Sequence, residues 1–348
     1  MAPSPSLAAR GARWLLRLLS LPYGFVIRVR NWAYDSHIAS AHQLDIPVIC
    51  IGNLTVGGTG KTPMVAWLAR WLRARGLRTA IISRGYGQLD SGQNDEALEL
   101  ELRLPDVPHL QNPDRTAAGM LAQDELDMEV VVLDDGFQHR RLTRDLDIVL
   151  IDATDPPAAH WLLPGGLMRE PWRGLERAAV VLLSRTRLAD AKNLERLERI
   201  IAHYAPKSLC IRTWHESKRL RGAGASIASL SELDGQSVLA FCGIGNPEPF
   251  FRMLKESGLK VEAERIWPDH HAYSAEDVGD LNAWASQHTR CAAVLCTMKD
   301  WVKLQVPRLG PLTLLALEID VVIDPDHLAA FERKILGAIG RPGNKPPA

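Results

Sequence analysis

The sequence predicts an α/β protein with a larger parallel-sheet domain and a second, smaller α/β domain. Three observations carry that prediction. Apolar runs of strand length recur along the chain, among them Ile46 to Ile51, Glu129 to Leu133, Asp147 to Asp152 and Ala178 to Ser184. Segments of helical spacing, such as Met64 to Leu72 and Leu194 to Tyr204, alternate with them, which implies right-handed crossovers and parallel pairing. Between Lys218 and Ser231 the composition shifts to Arg, Gly, Ala and Ser, a linker pattern, and a second strand–helix series follows. The expected division is an N-terminal amphipathic helix over 1–34, a larger domain over 35–222 and a smaller one over 223–348.

Composition narrows the function. A chain of 348 residues, 46% hydrophobic, suffices for two cored domains, and a formal net charge of +0 supplies no global field to recruit nucleic acid. The five cysteines form no CxxC pair, the pattern of buried reduced thiols rather than of a zinc site.

Residues 7–32 are apolar and arginine-rich, with no acid before Asp35. The run Trp14 to Leu19 is too short to span a bilayer, which takes about 20 apolar residues. No small-residue cleavage site follows it, as a signal peptide would require. Two readings are balanced on the residues alone: an interfacial helix whose arginines meet anionic head groups, and a helix packed on the protein's own core.

After the first strand comes Gly52-Asn53-Leu54-Thr55-Val56-Gly57-Gly58-Thr59-Gly60-Lys61-Thr62-Pro63. Glycines let backbone N–H groups close around phosphate oxygens. Lys61 adds a positive charge, Thr62 a hydroxyl for magnesium, and the helix start favours the anion. The strict pattern has glycine where this chain has Thr55. Residues Thr55 to Thr62 are therefore the candidate nucleotide-phosphate loop of a P-loop NTPase-like domain.

A second strand, Arg78 to Ser83, ends at Arg84-Gly85-Tyr86-Gly87. The acidic stretch that follows (Asp90, Asp95, Glu96, Glu99, Glu101) reads as a long loop whose acids are mostly solvated. The run Glu129 to Leu133 delivers Asp134 and Asp135 to the carboxyl edge of a sheet, where a P-loop enzyme holds its magnesium. His139 lies close by, with hydrogen-bonded structural duty as its ordinary reading. Between Asp152 and Ala178 the Leu163 to Pro171 loop can carry Arg169 to the same edge. In the second domain, Gly243-Ile244-Gly245-Asn246-Pro247 reads as a strand-to-helix turn. Asp269-His270-His271 suits either a histidine poised by a carboxylate for proton work or a capping turn before the helix at Ala275.

Taken together, Gly57 to Pro63, Ser83 to Gly87, Asp134-Asp135-Gly136-Phe137-Gln138-His139 and Thr297-Met298-Lys299-Asp300 resemble the tetraacyldisaccharide 4'-kinase (lipid A 4'-kinase) family, over nearly the whole chain. The resemblance implies transfer of the ATP γ-phosphate, with Mg2+, to the 4'-hydroxyl of an acylated disaccharide 1-phosphate. It also implies a peripheral enzyme of the cytoplasmic face of the inner membrane, held partly by its N-terminal helix. No obligate protein partner is expected. By position, Lys61 resembles the phosphate-contacting lysine, and Thr62, Asp134 and Asp135 the magnesium ligands. Asp95 resembles the residue that activates the sugar hydroxyl and His270 its partner, although Asn94 and Ala97 depart from the family's Gly-Asp-Glu-Pro. Arg115 and Arg169 match arginines near substrate or nucleotide. An Asp–His pair split between two domains would assemble only on closure, limiting wasteful hydrolysis. Two other classes fit the motifs less well: a P-loop kinase or ligase of a soluble metabolite, and a membrane-recruited regulatory ATPase or GTPase. Acyl-chain preference, oligomeric state, depth of insertion and the division of labour between Asp134 and Asp135 are not encoded legibly.

Overall fold

The computed structural model describes residues 7–85, 95–223, 227–228, 230–304 and 306–340. Expectations placed on Tyr86, Gly87, Asp90 and Asn94 lie outside them. In chain order the elements are α1 (Leu7–Asp35), β1 (Val48–Asn53), α2 (Lys61–Arg73), β2 (Thr79–Ser83), α3 (Asp95–Arg103), β3 (His109–Gln111), α4 (Arg115–Asp124), β4 (Val130–Asp134), β5 (Leu146–Asp152), β6 (Val180–Ser184), α5 (Ala191–Tyr204) and β7 (Leu209–Arg221). There follow β8 (Ile227–Ala228), β9 (Ser237–Cys242), α6 (Glu248–Glu256), β10 (Lys260–Ile266), α7 (Ala275–Ser286), β11 (Ala293–Thr297), α8 (Met298–Leu304), β12 (Arg308–Leu309), β13 (Leu312–Ile323) and α9 (Pro325–Ile339).

Two compact units result, each discontinuous in sequence. The first comprises residues 1–84, 107–214 and 323–348, the second residues 85–106 and 215–322. Thus α3, read from sequence as a loop of the larger domain, belongs to the second unit, and α9 to the first.

In the first unit the strand order is β7-β6-β5-β1-β4-β2-β3 and every pairing is parallel. Strands β1, β4, β5 and β6 are buried along their length, which is why they read as continuous Val/Ile/Leu runs rather than alternating ones. Central β1 lies between β4 and β5, so its carboxyl end opens on the switch point where open α/β sheets bind ligands. The C-terminal helix α9 packs on α2 through Phe331 stacked on Trp67 at 5.6 Å and the Trp71 indole N–H donating to Glu332 at 2.7 Å.

The second unit carries a parallel series, β10-β9-β11-β13, with β12 antiparallel to β13. Two sequence expectations fail here. Lys218 to Arg221 is no linker but the end of β7, and its arginines are counter-ions: Arg219 and Arg221 hold Glu318, 1% exposed, at 2.8 and 3.3 Å. Nor are the acids of 95–101 mostly solvated. Residues 95–103 form a helix that buries Asp95, Ala97, Glu99 and Leu100, and Glu99 pairs with Arg103 one turn on at 2.9 Å. A buried charge is tolerable only when paired in this way, and the pairing is invisible to a polarity count.

One contact fixes the approach of β1 to the chain after β4. A Cβ on Gly52 would sit 2.6 Å from Phe137 Cβ and 2.9 Å from its backbone nitrogen. Gly52→Ala should therefore cost about 1–3 kcal/mol through overpacking. Urea unfolding measures it, and an unchanged midpoint would show the contact yields without strain.

Candidate active site

The loop after β1 turns on Gly57 and Gly60, whose φ values of 106° and 90° are open to glycine at little cost. It delivers the chain into α2, whose N-terminus has no side-chain cap. Gly60 at its N-cap offers the first-turn N–H groups no side-chain acceptor, the condition a phosphate satisfies. The loop is braced from several sides. The Val56 N–H donates to Leu167 O and the Arg169 N–H to Leu54 O, both at 2.7 Å. Ser184 Oγ donates to Thr59 O at 2.9 Å, Asn53 Nδ2 to Thr59 Oγ1 at 3.2 Å, and Arg185 Nη2 to Gly58 O at 2.8 Å while Arg185 also pairs with Asp152. Thr55, Thr59 and Thr62 are buried within this frame.

Because Ile51 pairs with Asp134 across β1 and β4, the tip of β4 lies beside the loop's entry. Asp134 is 4% exposed. Asp135 follows with φ at 49° and carries a more open carboxylate. Lys61 Nζ lies 3.5 Å from it, and Arg169 Nη1 donates to both its oxygens at 3.0 and 2.8 Å. Burial pushes the Asp135 carboxyl up, but Lys61 and Arg169 outweigh it and hold the group at about 2. Lys61, Asp135 and Arg169 therefore meet at one sheet edge. Arg115, 6% exposed, donates to the Asp135 carbonyl at 3.2 Å and so positions the backbone of that residue. His139 lies among Arg115, Arg141 and Arg144; burial first, then those charges, lowers it to about 4 and keeps it neutral. The oxygen donors of Thr62, Asp134 and Asp135 are of the hard kind magnesium takes.

Helix α1 is tied to the same loops by one face. Tyr23 Oη donates to Arg169 O at 2.9 Å, Arg30 Nη2 to Gln138 O at 2.5 Å, Asn31 Nδ2 to Glu170 at 2.9 Å and Ser20 Oγ to Leu162 O at 2.8 Å. Its other face leaves Trp14, Leu15, Leu18, Leu21, Phe25, Val26 and Trp32 exposed. The helix thus has one face packed on the protein's own loops, as one of the two readings expected, and an exposed apolar face opposite it. No helix among the described residues is long and apolar enough to cross a membrane.

In the second unit, His270 Nδ1 lies 3.0 Å from Asp95 Oδ2. Both residues belong to that unit, so the expected assembly of this pair by domain closure is not how it forms. His270 sits at a φ of 58° in the turn before α7, while His271 pairs with Asp277 of the Ser274 capping box at 3.1 Å. The turn therefore sets His270 against a carboxylate and ties His271 to the capping box. Burial raises the Asp95 carboxyl, yet the His270 hydrogen bond together with Lys299, His270 and Lys303 more than offsets it and holds the group far below the usual range. The same bond, opposed by burial, raises His270. Sequence reasoning missed Arg185 and Lys303 and named Gln138 and Lys299 only as members of family motifs, without a role; each acts on a partner remote in sequence.

A central parallel strand feeding a glycine loop and an uncapped helix, with paired acids on the adjacent strand, defines a P-loop nucleotide-binding protein of the α/β class. The profile of the tetraacyldisaccharide-1-P 4'-kinase family matches residues 12–337, and this chain belongs to that family. Curated relatives named tetraacyldisaccharide 4'-kinase include those of Geobacter metallireducens, 39% identical over 92% of this chain and 98% of its own, and Porphyromonas gingivalis, 33% identical over 95% and 98%. The crystal structure of LpxK from Aquifex aeolicus in complex with ATP superposes with a TM-score of 0.75 at 29% identity, covering 94% of this chain and 99% of that one.

Proposed function

We propose that this chain transfers the γ-phosphoryl group of ATP to the 4'-hydroxyl of tetraacyldisaccharide 1-phosphate, giving the lipid A precursor. The observation that carries the reading is the meeting of Lys61 and Asp135 at 3.5 Å beside an uncapped helix start, in a chain that belongs to this kinase family. The hydroxyl oxygen forms a bond to the γ-phosphorus, the bond from phosphorus to the ADP oxygen breaks, and the hydroxyl proton passes to Asp95. Lys61 and the N–H groups of Gly57, Gly58, Gly60, Lys61 and Thr62 hold the phosphates, the Val56 and Thr59 N–H groups being bonded to Leu167 O and Gly57 O within the loop's own frame. Thr62, Asp134 and Asp135 would hold magnesium, which would supply charge neutralisation on the transferring group. Arg169 and Arg115 keep the Asp135 segment in place. His270 orients the Asp95 carboxylate through its Nδ1. Comparing ATP consumption with acylated disaccharide and with soluble sugars tests the reading; turnover on soluble sugars alone contradicts it.

The exposed apolar face of α1, bordered by Arg28 and other arginines, seats the enzyme peripherally on the anionic cytoplasmic face of the inner membrane, where ATP and the lipid substrate are both available. Replacing Trp14, Leu18 and Phe25 by Glu should abolish co-sedimentation with anionic vesicles without changing the circular dichroism. Undiminished binding would remove α1 from the membrane contact.

A further inference from the structure

Helix α8 of the second unit carries a lysine that neither the motif reading nor the mechanism above uses. The Lys303 side chain is 3% exposed. Its Nζ donates to the His271 carbonyl at 3.1 Å, lies 3.5 Å from Asp95 Oδ2 and 3.9 Å from Asp300 Oδ1, and stands 5.8 Å from the centre of the Tyr273 ring. Asp300 is itself immobilised. Its carboxylate accepts from the Gly243 N–H at 3.0 Å, the Tyr273 hydroxyl at 2.9 Å and the Thr297 hydroxyl at 2.6 Å. An ammonium has three donors and a flexible stem, so burying one takes acceptors on several sides. Here they come from α3, from the turn that carries His270 and from α8.

We propose that Lys303 is a positioning residue for phosphoryl transfer, tying the Asp95 carboxylate of α3 to the backbone of the turn that presents His270. The left-handed φ of His270 gives that turn no intrinsic preference for its shape, and the bond from Lys303 to the next residue's carbonyl holds it. The proposal rests on the reading that Asp95 accepts the hydroxyl proton. Lys303 then has a second effect, because the Asp95–His270 pair titrates as a unit. Around it stand Lys299 and Lys303 of α8, Glu96 and Glu99 of α3, Asp269 beside His270, and Asp300 beneath Lys303. Removing Lys303 leaves the carboxylate with less opposing charge, so the pair takes up its inactivating proton at higher pH.

The test uses the purified full chain with ATP and acylated disaccharide in micelles, and compares Lys303→Met, Lys303→Gln, Lys303→Arg and Asp95→Asn. In Lys303→Met and Lys303→Gln, kcat should fall about 10- to 100-fold with KM for ATP unchanged. The acidic limb of the kcat–pH profile should move up by about one unit or more. Lys303→Arg should recover most of the rate and return the limb. Variants are compared at temperatures where circular dichroism shows them folded, and if Lys303→Met does not fold, Lys303→Gln carries the same reading. A full rate, or a lowered rate with the limb unmoved, overturns the positioning role. If Asp95→Asn keeps the full rate, the proton-acceptor reading itself falls; if only Asp95→Asn is inactive, that reading stands and the role of Lys303 alone is lost.

Discussion

Lys61→Met should lower phosphoryl transfer roughly 10³-fold or more while leaving the fold intact, because the mechanism asks the protein for charge neutralisation and positioning rather than covalent chemistry. Lys61 is the first residue of α2, 11% exposed, with its ammonium 3.5 Å from Asp135. Methionine keeps an unbranched stem of similar length and removes only the ammonium, so the loss should fall on kcat and on ATP affinity together. The Asp135 carboxyl gives an independent readout. Lys61 is the larger of the charges that hold it down, ahead of Arg169, so its pKa should rise in the variant. The sign for stability follows. A depressed carboxyl contributes stability above its unfolded pKa of about 4 and loses it as pH falls through the folded value. Lys61→Met should therefore unfold less steeply in acid between those limits. Titration of Asp135 by NMR checks it; an unmoved Asp135 would mean that Lys61 does not govern this carboxylate.

The second large effect is expected at Asp95. Asp95→Asn removes the proton acceptor and should cost about 10²- to 10⁴-fold in kcat with little change in KM for ATP. His270→Gln keeps a hydrogen-bonding side chain and should cost less. The two losses should combine to less than their product, since the residues act as one unit. Strictly multiplicative losses would show that Asp95 and His270 work separately, despite their 3.0 Å contact.

Much of this arrangement was legible because its signals are local. Gly57 to Thr62 encodes a loop and a helix start within a few residues, and the apolar run ending at Asp134 and Asp135 encodes a buried strand with an acidic tip. Parallel pairing then forces both to one edge of the sheet. What escaped were contacts made only by folding. By composition Asp95 read as part of a solvated acidic loop, and only the family resemblance paired it with His270; it is buried because α3 packs against α8, which also brings it to Lys299 and Lys303. Arg219 and Arg221 read as linker because their counter-ion, Glu318, lies on another strand. For α1 the periodicity revealed an amphipathic helix, but only Tyr23 and Arg30, reaching the carbonyls of Arg169 and Gln138, reveal which face is held.

The most direct measurement follows labelled γ-phosphate from ATP into tetraacyldisaccharide 1-phosphate, with and without magnesium, and locates it in the product by NMR. The account predicts label on the 4'-oxygen, formed only with magnesium and lost in Lys61→Met. Label released as inorganic phosphate at the same rate whether or not the lipid is present would contradict it.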